Sequence, residues 1–461
     1  MITPDIFKAN DIRGIAVGPG AQWDTDGATA LGSALVGCFD LHPGDRIVLG
    51  RDMRTTSVEL SGAFAAGVTR QGVHVVDIGL SSTDGLWFAS GRLDLPGAMF
   101  TASHNPGSYN GIKFCRPGAR PVDPGLLLEL ARRSAQDPPA PAAEPGTVES
   151  RDLLADYAAH LHALVDVTGL RPLRVVVDTG NGMGGHVLPA VLGADSAVPT
   201  GIELIGLYLD LDGAFPNHAP NPLEPENLVD AQAAVREHDA DLALVFDGDA
   251  DRCFIIDERG EVVSPSAVTA MIAASELARE PGSTIVINTI VSRAVPELIE
   301  RLGGRVVQTK VGHTFVKAAM AEHQAVFGGE HSAHYYFRDF WGADTGMLAA
   351  LHVLATLGHQ DRPLSELVVD FNRYAASGEI NSRVLDTAVA MDQVAAAYDV
   401  LGEIDRTDGL TVQGDQWRFN LRGSNTEPLI RLNVEASDED TMVRFRDEVL
   451  QIVRADSHRI I

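Results

Sequence analysis

The chain has 461 residues, 45% of them hydrophobic, and a formal net charge of -27. A chain of this length usually folds around more than one hydrophobic core, which predicts about three or four domains. The strong negative charge argues against a general binder of nucleic acid or of an anionic membrane surface, because such polyanions repel an acidic protein.

The amino-terminal segment, residues 7–14, places Lys8 and Arg13 beside a glycine that can turn the chain. In an acidic protein an anionic substrate must meet local groups of Lys and Arg, so both residues are candidate contacts for it. The sequence shows no charged leader followed by an apolar stretch, and no uncharged run is long enough to span a membrane. Together with three widely separated cysteines, this predicts a cytoplasmic protein with reduced thiols.

Short apolar segments alternate with helix-like stretches along most of the chain, which predicts layered α/β units. The predicted strands are residues 46–49, 72–77, 98–100, 173–178, 241–246, 283–288 and 305–308. Helix-like patterns cover residues 153–165 and the region 351–367. Several predicted strands lead into an Asp followed closely by Gly, so we expect their polar ends to share the rim where ligands bind in open α/β sheets.

The loop after the predicted strand 98–100 carries Ser103 and His104, followed by Asn-Pro-Gly, and it leads on to Lys113. Turn residues of this kind would place Ser103 beyond the end of the strand, at the rim where ligands bind. Lys113, ten residues later, could return to the same place. A hydroxyl held there could carry a phosphoryl group. The loop by itself does not distinguish phosphoryl transfer from acyl transfer or from an ordinary turn, although a GxSxG nucleophile motif is absent.

The clearest break in the pattern is the proline-rich stretch 136–146, which cannot lie inside a helix or a central strand. We place the first domain boundary there. The predicted domains are residues 1–147, 148–256, 257–368 and 369–461, the last of them beginning before the strand-like segments that follow Ser382.

An acidic motif, Asp247-Gly-Asp249-Ala-Asp251-Arg252, follows the predicted strand 241–246. Carboxylates at every second position of an extended loop can converge, and three hard oxygen ligands suit Mg²⁺. A calcium-binding EF-hand loop is excluded because its sixth position requires Gly, where this chain has Arg252. A solvated acidic turn is the competing interpretation.

Two polar turns follow in the third predicted domain. Lys310, Gly312 and His313 stand at a predicted helix start, which favours an anionic ligand, although a solvated surface lysine is the alternative for Lys310. Glu330, His331, Ser332 and His334 form a set that can hydrogen-bond sugar hydroxyls and move protons. A zinc site is disfavoured because their spacing is not that of HExxH.

Near the carboxyl end, Arg422-Gly-Ser424-Asn425-Thr426 combines a guanidinium, hydroxyls and an amide in one short turn. All of these groups donate hydrogen bonds to a phosphate, so we interpret the turn as a clamp for a dianion, to which Arg431 could add a second positive charge. An ordinary turn closed by a Ser or Thr hydroxyl is the alternative.

Four of these motifs, in their order along the chain, resemble the α-D-phosphohexomutase family and within it the phosphomannomutase/phosphoglucomutase group. They are the loop with Ser103 and Lys113, the acidic motif 247–252, the turn 328–334 and the turn 422–428. The resemblance extends over essentially the whole chain and includes residues 7–14, 50–52, 212–218 and 344–346. It implies three similar mixed α/β domains and a smaller C-terminal α+β domain around a central active-site cleft. The four predicted domains would carry the phosphoserine loop, the metal-binding loop, the sugar-binding loop and the phosphate-binding loop, respectively.

The resemblance also implies a reaction. The enzyme, an isomerase, would interconvert hexose 1-phosphate and hexose 6-phosphate, with mannose and/or glucose as the sugar, through a phosphoserine at Ser103 and a hexose 1,6-bisphosphate. One Mg²⁺ would bind Asp247, Asp249, Asp251 and the phosphate on Ser103, with Arg252 in support. Glucose 1,6-bisphosphate or an equivalent hexose bisphosphate would activate the enzyme, and the protein would be a monomer or a homodimer.

Carried over residue by residue, the family implies two groups of functional side chains. The catalytic group would be Ser103, Lys113, Arg13, His104 and His334. The substrate-binding group would be Lys8, Lys310, Gly312, His313, Glu330, Ser332, Arg422, Ser424, Asn425, Thr426 and Arg431.

The chain departs from the common family pattern at Asn10, Ile290 and Ala333, which leaves the sugar preference open. The turn at residues 329–334 looks more like the mannose/glucose group than like phosphoglucosamine mutases, which usually have Gln after the Glu. A phosphoglucosamine mutase remains the first alternative. A metal-dependent sugar-phosphate phosphatase and a non-catalytic phosphosugar-binding protein are the others.

Overall fold

The computed structural model describes residues 1–123, 125–193, 195–423 and 429–455. The chain divides into two compact units. Unit 1 consists of Met1–Val268 and Ser332–Leu367, and unit 2 consists of Thr269–His331 and the described part of Val368–Ile461. No helix among the described residues is both long and apolar enough to cross a membrane.

Unit 1 begins with a six-stranded mixed sheet and its helices. The strands are β1 (Ile12–Ile15), β2 (Arg46–Arg51), β3 (His74–Leu80), β4 (Gly97–Phe100), β5 (Tyr109–Cys115) and β6 (Val148–Ser150). The helices are α1 (Thr25–Cys38), α2 (Ser57–Arg70), α3 (Thr83–Leu93) and α4 (Leu126–Ser134). The order in the sheet is β1-β5-β4-β2-β3-β6, and the antiparallel pairing of β4 with β5 sets Lys113 opposite Met99. Lys113 thus returns towards the strand end that carries Ser103.

A second sheet of unit 1 holds the acidic motif. Its strands are β7 (Leu173–Asp178), β8 (Ile202–Leu207), β9 (Leu242–Phe246), β10 (Cys253–Asp257) and β11 (Val262–Val263), in the order β11-β10-β9-β7-β8. The helices are α5 (Leu154–Leu164), α6 (Gly184–Val191) and α7 (Val229–Glu237). Every residue of β9 and β10 is buried, and the two strands pair so that Phe246 lies opposite Cys253. Asp247 to Arg252 therefore form the loop at the end of a fully buried hairpin.

The next segment belongs largely to unit 2 and contains three parallel strands. Its elements are α8 (Pro265–Arg279), β12 (Thr284–Asn288), α9 (Ala294–Arg301), β13 (Arg305–Thr309), α10 (His313–His323) and β14 (Phe327–Gly329). Strand β12 is fully buried and pairs with β13 on one side and β14 on the other. Because the strands are parallel, their carboxyl ends meet at one edge, which brings together the segments after Asn288, Thr309 and Gly329.

The chain then returns to unit 1 with β15 (Tyr335–Phe337), which pairs with β16 (Ala343–Asp344), and continues with α11 (Gly346–Gly358) and α12 (Leu364–Phe371). The predicted helical region 351–367 is therefore two helices. The break has a local cause, since Pro363 precedes the first residue of α12 and cannot donate a backbone hydrogen bond to continue α11.

The last segment of unit 2 is a five-stranded antiparallel sheet with two helices. Its elements are β17 (Ala375–Arg383), α13 (Thr387–Tyr398), β18 (Glu403–Asp405), β19 (Leu410–Gln413), β20 (Trp417–Gly423), β21 (Leu429–Ala436) and α14 (Glu439–Arg454). The order is β17-β21-β20-β19-β18. The ring of Trp417 stacks on that of Phe445 with centroids 4.2 Å apart, which packs α14 against the sheet.

The predicted strands agree with the observed elements to within a few residues, because short buried apolar runs have a strong local signature. The main difference in the last segment is that β17 begins at Ala375, ahead of the strand-like region expected after Ser382. Much of β17 is exposed and polar, so its apolar pattern is weak.

Candidate active site

Ser103 lies just beyond the end of β4 in unit 1 and is buried. Its backbone adopts a left-handed conformation, with φ of 49°, and its N–H donates to Thr101 Oγ1 at 2.9 Å. The hydroxyl donates to Asp247 Oδ2 at 3.0 Å and lies 3.3 Å from His104 Nδ1. The candidate phosphoryl carrier therefore contacts the acidic loop directly.

Arg54 holds the Ser103 loop in this shape, although nothing in its sequence context indicates this role. Its side chain is fully buried and donates to backbone carbonyl oxygens at 2.7–3.0 Å. The acceptors are the carbonyl oxygens of Ser103, Asn105, Pro106 and Tyr109. Asp52 balances the charge at 3.1 Å from Arg54 Nε. One buried guanidinium thus binds four carbonyl oxygens of the loop at once, whereas a neutral side chain with fewer N–H groups could bind only some of them.

Asp247, Asp249 and Asp251 converge as predicted, with one ligand atom from each lying within 4.8 Å of the others. All three are buried. Lys113 Nζ donates to Asp249 Oδ2 at 2.7 Å and to Asp251 Oδ2 at 2.6 Å. Arg252 Nε donates to Asp247 Oδ2 at 2.9 Å, so each carboxylate has a cationic neighbour.

The residues of this loop fit a small, hard cation. Oδ1 of Asp249 and Oδ1 of Asp251 are buried and have no hydrogen-bond partner among the described residues. Three carboxylates face two cations, Lys113 and Arg252, so ionisation of all three would leave one negative charge in excess. Burial of a charge without compensation is unfavourable, and a divalent ion such as Mg²⁺ would relieve it.

The pKa shifts in the loop follow from the same imbalance. Burial, only partly offset by Arg252, raises the pKa of Asp247 to about 8. Burial also opposes ionisation of Asp249 and Asp251, but Lys113 outweighs it and the pKa of each falls below its ordinary value. Lys113 is partly buried, which lowers its pKa, but Asp249 and Asp251 raise that pKa far above its usual range. Lys113 therefore stays protonated.

His104 is held as a neutral imidazole. Burial, with Arg252 and Arg13 nearby, lowers the pKa of His104 to about 2. Arg252 Nη2 donates to His104 Nδ1 at 2.8 Å, so the ring proton resides on Nε2. As placed here, His104 can donate a hydrogen bond from Nε2, but it neither accepts a proton nor carries a positive charge.

The two basic residues of the amino-terminal segment have different surroundings. Arg13, on β1, donates from Nη1 to Asn105 Oδ1 at 2.8 Å and from Nη2 to Asp11 at 2.6 Å. It thus reaches the Ser103 loop. Lys8 is exposed and donates to the carbonyl oxygen of Asp5 at 2.6 Å.

His334 joins the acidic loop from the segment of unit 1 that begins at Ser332. A ligand atom of its ring lies within 4.8 Å of carboxylate oxygens of both Asp251 and Asp344. Ser332 Oγ is 2.9 Å from His334 Nδ1. The structure thus places His334 beside the candidate metal ligands and pairs it with a predicted sugar contact.

In unit 2, the ends of the parallel strands bring Gly312 and Glu330 together. Glu330 Oε2 accepts from Gly312 N–H and from Asn288 Nδ2, both at 3.1 Å. Gly312 has φ of 134°, which suits glycine, and it caps α10, whose first residue is His313. Lys310 is exposed on the segment before this helix.

The predicted phosphate clamp is described in part. Arg422 Nη2 is 3.5 Å from Glu379 Oε2 and Arg422 Nη1 is 3.9 Å from Asp408 Oδ2, whereas Arg431 Nε is 3.6 Å from Glu379 Oε1. Two guanidinium groups therefore share one carboxylate. Ser424, Asn425 and Thr426 lie outside the described residues.

Asp408 was not predicted as a site residue, but it joins three loops of unit 2. It accepts from Val311 N–H at 2.9 Å and from Thr289 Oγ1 at 3.1 Å. An isolated Asp between two short strands carries no sequence signal of such a role. Arg54 was not predicted because the carbonyl oxygens that it binds lie 49–55 positions away in the sequence.

Four segments of the chain match the phosphoglucomutase/phosphomannomutase family. The matches are to alpha/beta/alpha domain I over residues 4–137, domain II over 155–260 and domain III over 265–374, and to the C-terminal domain over 379–452. Three α/β domains followed by a C-terminal α+β domain confirm the predicted fold class.

Curated relatives and a solved structure match the chain over nearly its whole length. A phosphomannomutase of Escherichia coli is 39% identical, covering 97% of this chain and 99% of its own. Phosphohexose mutases of Xanthomonas campestris pv. campestris are also 39% identical, covering 98% of this chain and the full length of the relative. The crystal structure of a phosphoglucomutase/phosphomannomutase family protein from Burkholderia thailandensis is 32% identical, has a TM-score of 0.88, and covers 99% of this chain and 98% of that chain.

Proposed function

We propose a reaction for this chain, which belongs to the phosphoglucomutase/phosphomannomutase family and is a hexose phosphate mutase: it interconverts the 1-phosphate and 6-phosphate of mannose or glucose, with Ser103 as the phosphoryl carrier. The observation that carries the proposal is the hydrogen bond of Ser103 Oγ to Asp247 Oδ2 at 3.0 Å, beside two further buried carboxylates and Lys113. A serine in that setting is suited to hold a dianionic phosphate next to a cation site.

In the first half-reaction the bond between phosphorus and Ser103 Oγ breaks, and the free hydroxyl oxygen of the hexose phosphate bonds to phosphorus. His334, whose Nδ1 is hydrogen-bonded with Ser332, accepts the proton of that hydroxyl, and one proton is delivered in exchange to Ser103 Oγ, which leaves phosphorus as a hydroxyl. The product is a hexose 1,6-bisphosphate. In the second half-reaction the bisphosphate is bound in the opposite orientation and its other phosphoryl group returns to Ser103 Oγ. The proton returns to the released sugar oxygen, so no water is consumed and no phosphate is lost.

One Mg²⁺ per chain is proposed at Asp247, Asp249, Asp251 and the phosphate on Ser103. When bound, the ion supplies positive charge that stabilises the transferring phosphoryl group. Lys113, which stays protonated, and Arg13 add positive charge from the protein side. Arg252 holds Asp247 and orients His104, so the loop is kept in position around Ser103.

We propose that the sugar and its non-reacting phosphate are bound by the remaining predicted residues. Glu330 and Ser332 would accept and donate hydrogen bonds to sugar hydroxyls. The phosphate would be bound by Arg422, Ser424, Asn425 and Thr426, with contributions from Arg431, Lys310, Gly312, His313 and Lys8. The arrangement of Arg422 and Arg431 around Glu379 supports this, because paired guanidinium groups favour a dianion.

The functional domains are proposed as residues 1–147, 148–256, 257–368 and 369–461, in a cytoplasmic monomer or homodimer activated by glucose 1,6-bisphosphate or an equivalent hexose bisphosphate. Limited proteolysis with mass spectrometry tests the domain bounds, and light scattering tests the oligomeric state. Cleavage concentrated inside the proposed domains would contradict the bounds.

The reaction is tested by a coupled assay with mannose 1-phosphate, glucose 1-phosphate and glucosamine 1-phosphate, primed with glucose 1,6-bisphosphate and Mg²⁺. We expect isomer formation from mannose 1-phosphate or glucose 1-phosphate and one phosphate on Ser103 by intact mass and peptide mapping. Ser103→Ala should lose both, whereas Ser33→Ala, which removes a buried hydroxyl that donates to Gly67 O, should retain both.

Three results would contradict the proposal. Net phosphate release would indicate a phosphatase. Preference for glucosamine 1-phosphate would indicate a phosphoglucosamine mutase. Full activity of Ser103→Ala would remove the phosphoserine from the reaction.

A further inference from the structure

Thr83 contacts the acidic loop through two hydrogen bonds, although it lies 166 positions from Asp249 in the sequence. Its hydroxyl donates to Asp249 Oδ2 at 2.5 Å, and its backbone N–H donates to the Asp249 carbonyl oxygen at 3.0 Å. The residue is fully buried and is the first residue of α3. Thr83 thus holds both the side chain and the backbone of one candidate metal ligand.

The two oxygens of Asp249 have different surroundings because of this contact. Oδ2 accepts from Thr83 Oγ1 and from Lys113 Nζ, whereas Oδ1 is buried and has no hydrogen-bond partner among the described residues. Lys113 is shared with Asp251 and sits at the end of a flexible chain, so it constrains the carboxylate less than a hydroxyl on a rigid β-branched residue does. Thr83 therefore determines which oxygen of Asp249 keeps its lone pairs for another ligand.

The first turn of α3 is itself held in place, which makes Thr83 a fixed donor. Ser82 caps the helix by accepting from Gly85 N–H at 3.2 Å. The buried carboxylate of Asp84 accepts from Tyr157 OH at 2.7 Å and from Thr345 Oγ1 at 2.6 Å. These bonds tie the start of α3 to α5 and to the start of α11 within unit 1. The N-terminal end of α3 also favours a negative charge, which suits the Asp249 carboxylate.

We propose that Thr83 is a positioning residue of the metal centre, which turns Asp249 so that Oδ1 is presented to Mg²⁺. This inference rests on the Mg²⁺ site of the proposed function. Residues that orient metal ligands through hydrogen bonds typically change metal affinity by about 10- to 100-fold when the bond is removed. A purely structural contact would instead change stability and leave the metal affinity unchanged.

The test is isothermal titration of Mg²⁺ into the purified full-length protein and its variants. Thr83→Val keeps the shape of the side chain and removes the donor, so we expect the dissociation constant for Mg²⁺ to rise about tenfold. Thr83→Ser keeps the hydroxyl and should bind within about twofold of the wild type. The KM for the hexose phosphate should change little in either variant, because Thr83 is not among the residues proposed to bind the sugar.

A matched control is Thr411→Val, which removes another buried hydroxyl that accepts from Asn420 Nδ2 at 2.9 Å on β20. It should lose stability comparably and keep the Mg²⁺ affinity of the wild type. Thr83→Cys, with a side chain of similar size and a weak donor, is titrated in parallel in case Thr83→Val does not fold. It should bind Mg²⁺ more weakly than Thr83→Ser.

Equal Mg²⁺ affinity of the wild type and of Thr83→Val, or of the wild type and Thr83→Cys, would overturn the inference. Affinity in Thr83→Ser as weak as in Thr83→Val would overturn it too, since the hydroxyl would not be the cause. If the wild type bound no Mg²⁺ at all, the metal centre of the proposed function would fail and the role of Thr83 with it. The two kinds of failure are distinguishable. Failure of the Thr83 inference leaves Mg²⁺ binding by the wild type intact, whereas failure of the proposed metal centre abolishes it.

Discussion

Ser103 and Asp247 meet through a hydrogen bond of 3.0 Å between the serine hydroxyl and Oδ2 of the aspartate, although they are 144 positions apart. The contact joins the loop after β4 to the loop between β9 and β10. Gly248, directly after Asp247, makes this approach sterically possible. A side-chain carbon at Gly248 would lie 2.5 Å from the Ser103 carbonyl oxygen.

We therefore predict that Gly248→Ala separates the two loops, because neither backbone can yield cheaply to a contact that short. Phosphate occupancy of Ser103 after incubation with glucose 1,6-bisphosphate should fall at least about tenfold, as should mutase activity. Gly62→Ala is the control, since no heavy atom lies within 4 Å of a carbon added there and it should stabilise α2 by about 0.5–1 kcal/mol. Wild-type occupancy in Gly248→Ala, measured by intact mass, would contradict the argument.

Arg54→Gln should destabilise unit 1 strongly. The substitution leaves carbonyl oxygens of the Ser103 loop without donors and Asp52 without its cation. We therefore expect the free energy of unfolding to fall by about 3–5 kcal/mol. The midpoint of urea unfolding should fall accordingly. Arg132→Gln, which removes an exposed ion pair with Glu129, should leave the midpoint nearly unchanged. Similar midpoints for the two variants would show that Arg54 does not hold the loop.

Lys113→Met should make stability depend on Mg²⁺. Without the ammonium group, the buried carboxylates of Asp249 and Asp251 repel each other, and an added cation can relieve that repulsion. We expect an apo variant destabilised by about 3 kcal/mol or more and a larger rise in melting temperature with Mg²⁺ than the wild type shows. Thermal unfolding in EDTA and in Mg²⁺ measures both. Lys8→Met, at an exposed lysine, is the control, and an equal Mg²⁺ shift in Lys113→Met and wild type would refute the charge argument.

The contact between His218 and Asp178 should make stability depend on pH. Burial lowers the pKa of His218, but the hydrogen bond and charge of Asp178, at 3.2 Å, outweigh it and raise the pKa above its ordinary value. Folding thus favours protonated His218, and this stabilisation is fully present below the unfolded pKa and is lost as pH rises through the folded pKa.

His218→Gln should therefore lose more stability near about pH 5.5 than near about pH 8.5, with a loss of about 1 kcal/mol at the lower pH. Urea unfolding at the two pH values measures the difference. His42→Gln, at an exposed histidine 4.0 Å from Asp45, should show little dependence. A loss in His218→Gln that grows with pH would reverse the sign of the argument.

Much of the fold and part of the site could be predicted because their signals are local. Buried strands such as β7 and β9 appear as apolar runs bounded by turn residues, and the three aspartates of the acidic loop alternate within one short segment. The order of motifs was enough to identify the family. The extent of α11 was mispredicted because Pro363 divides a region that is helical in composition throughout.

Arg54, Thr83 and Asp408 could not be found in this way. Each donates to or accepts from groups that lie roughly 50 to 170 positions away or in another loop, and the composition around each is that of an ordinary surface turn. Their partners depend on which strands neighbour each other and in which register. That information is contained in the packing of several segments at once.

The amino-acid sequence by itself determined which chemical groups are available to this protein. They are a serine in a turn, three alternating carboxylates, a turn whose side chains can hydrogen-bond sugar hydroxyls, and a turn with an arginine. All of these are set by local periodicity and turn geometry. The tertiary structure decided which of these groups meet. Pairing of β4 with β5 places Lys113 among the aspartates, and the hairpin β9–β10 carries Asp247 to Ser103. The physical reason is that short hydrogen bonds and buried charges require positions accurate to a fraction of an ångström, which only close packing of distant segments supplies.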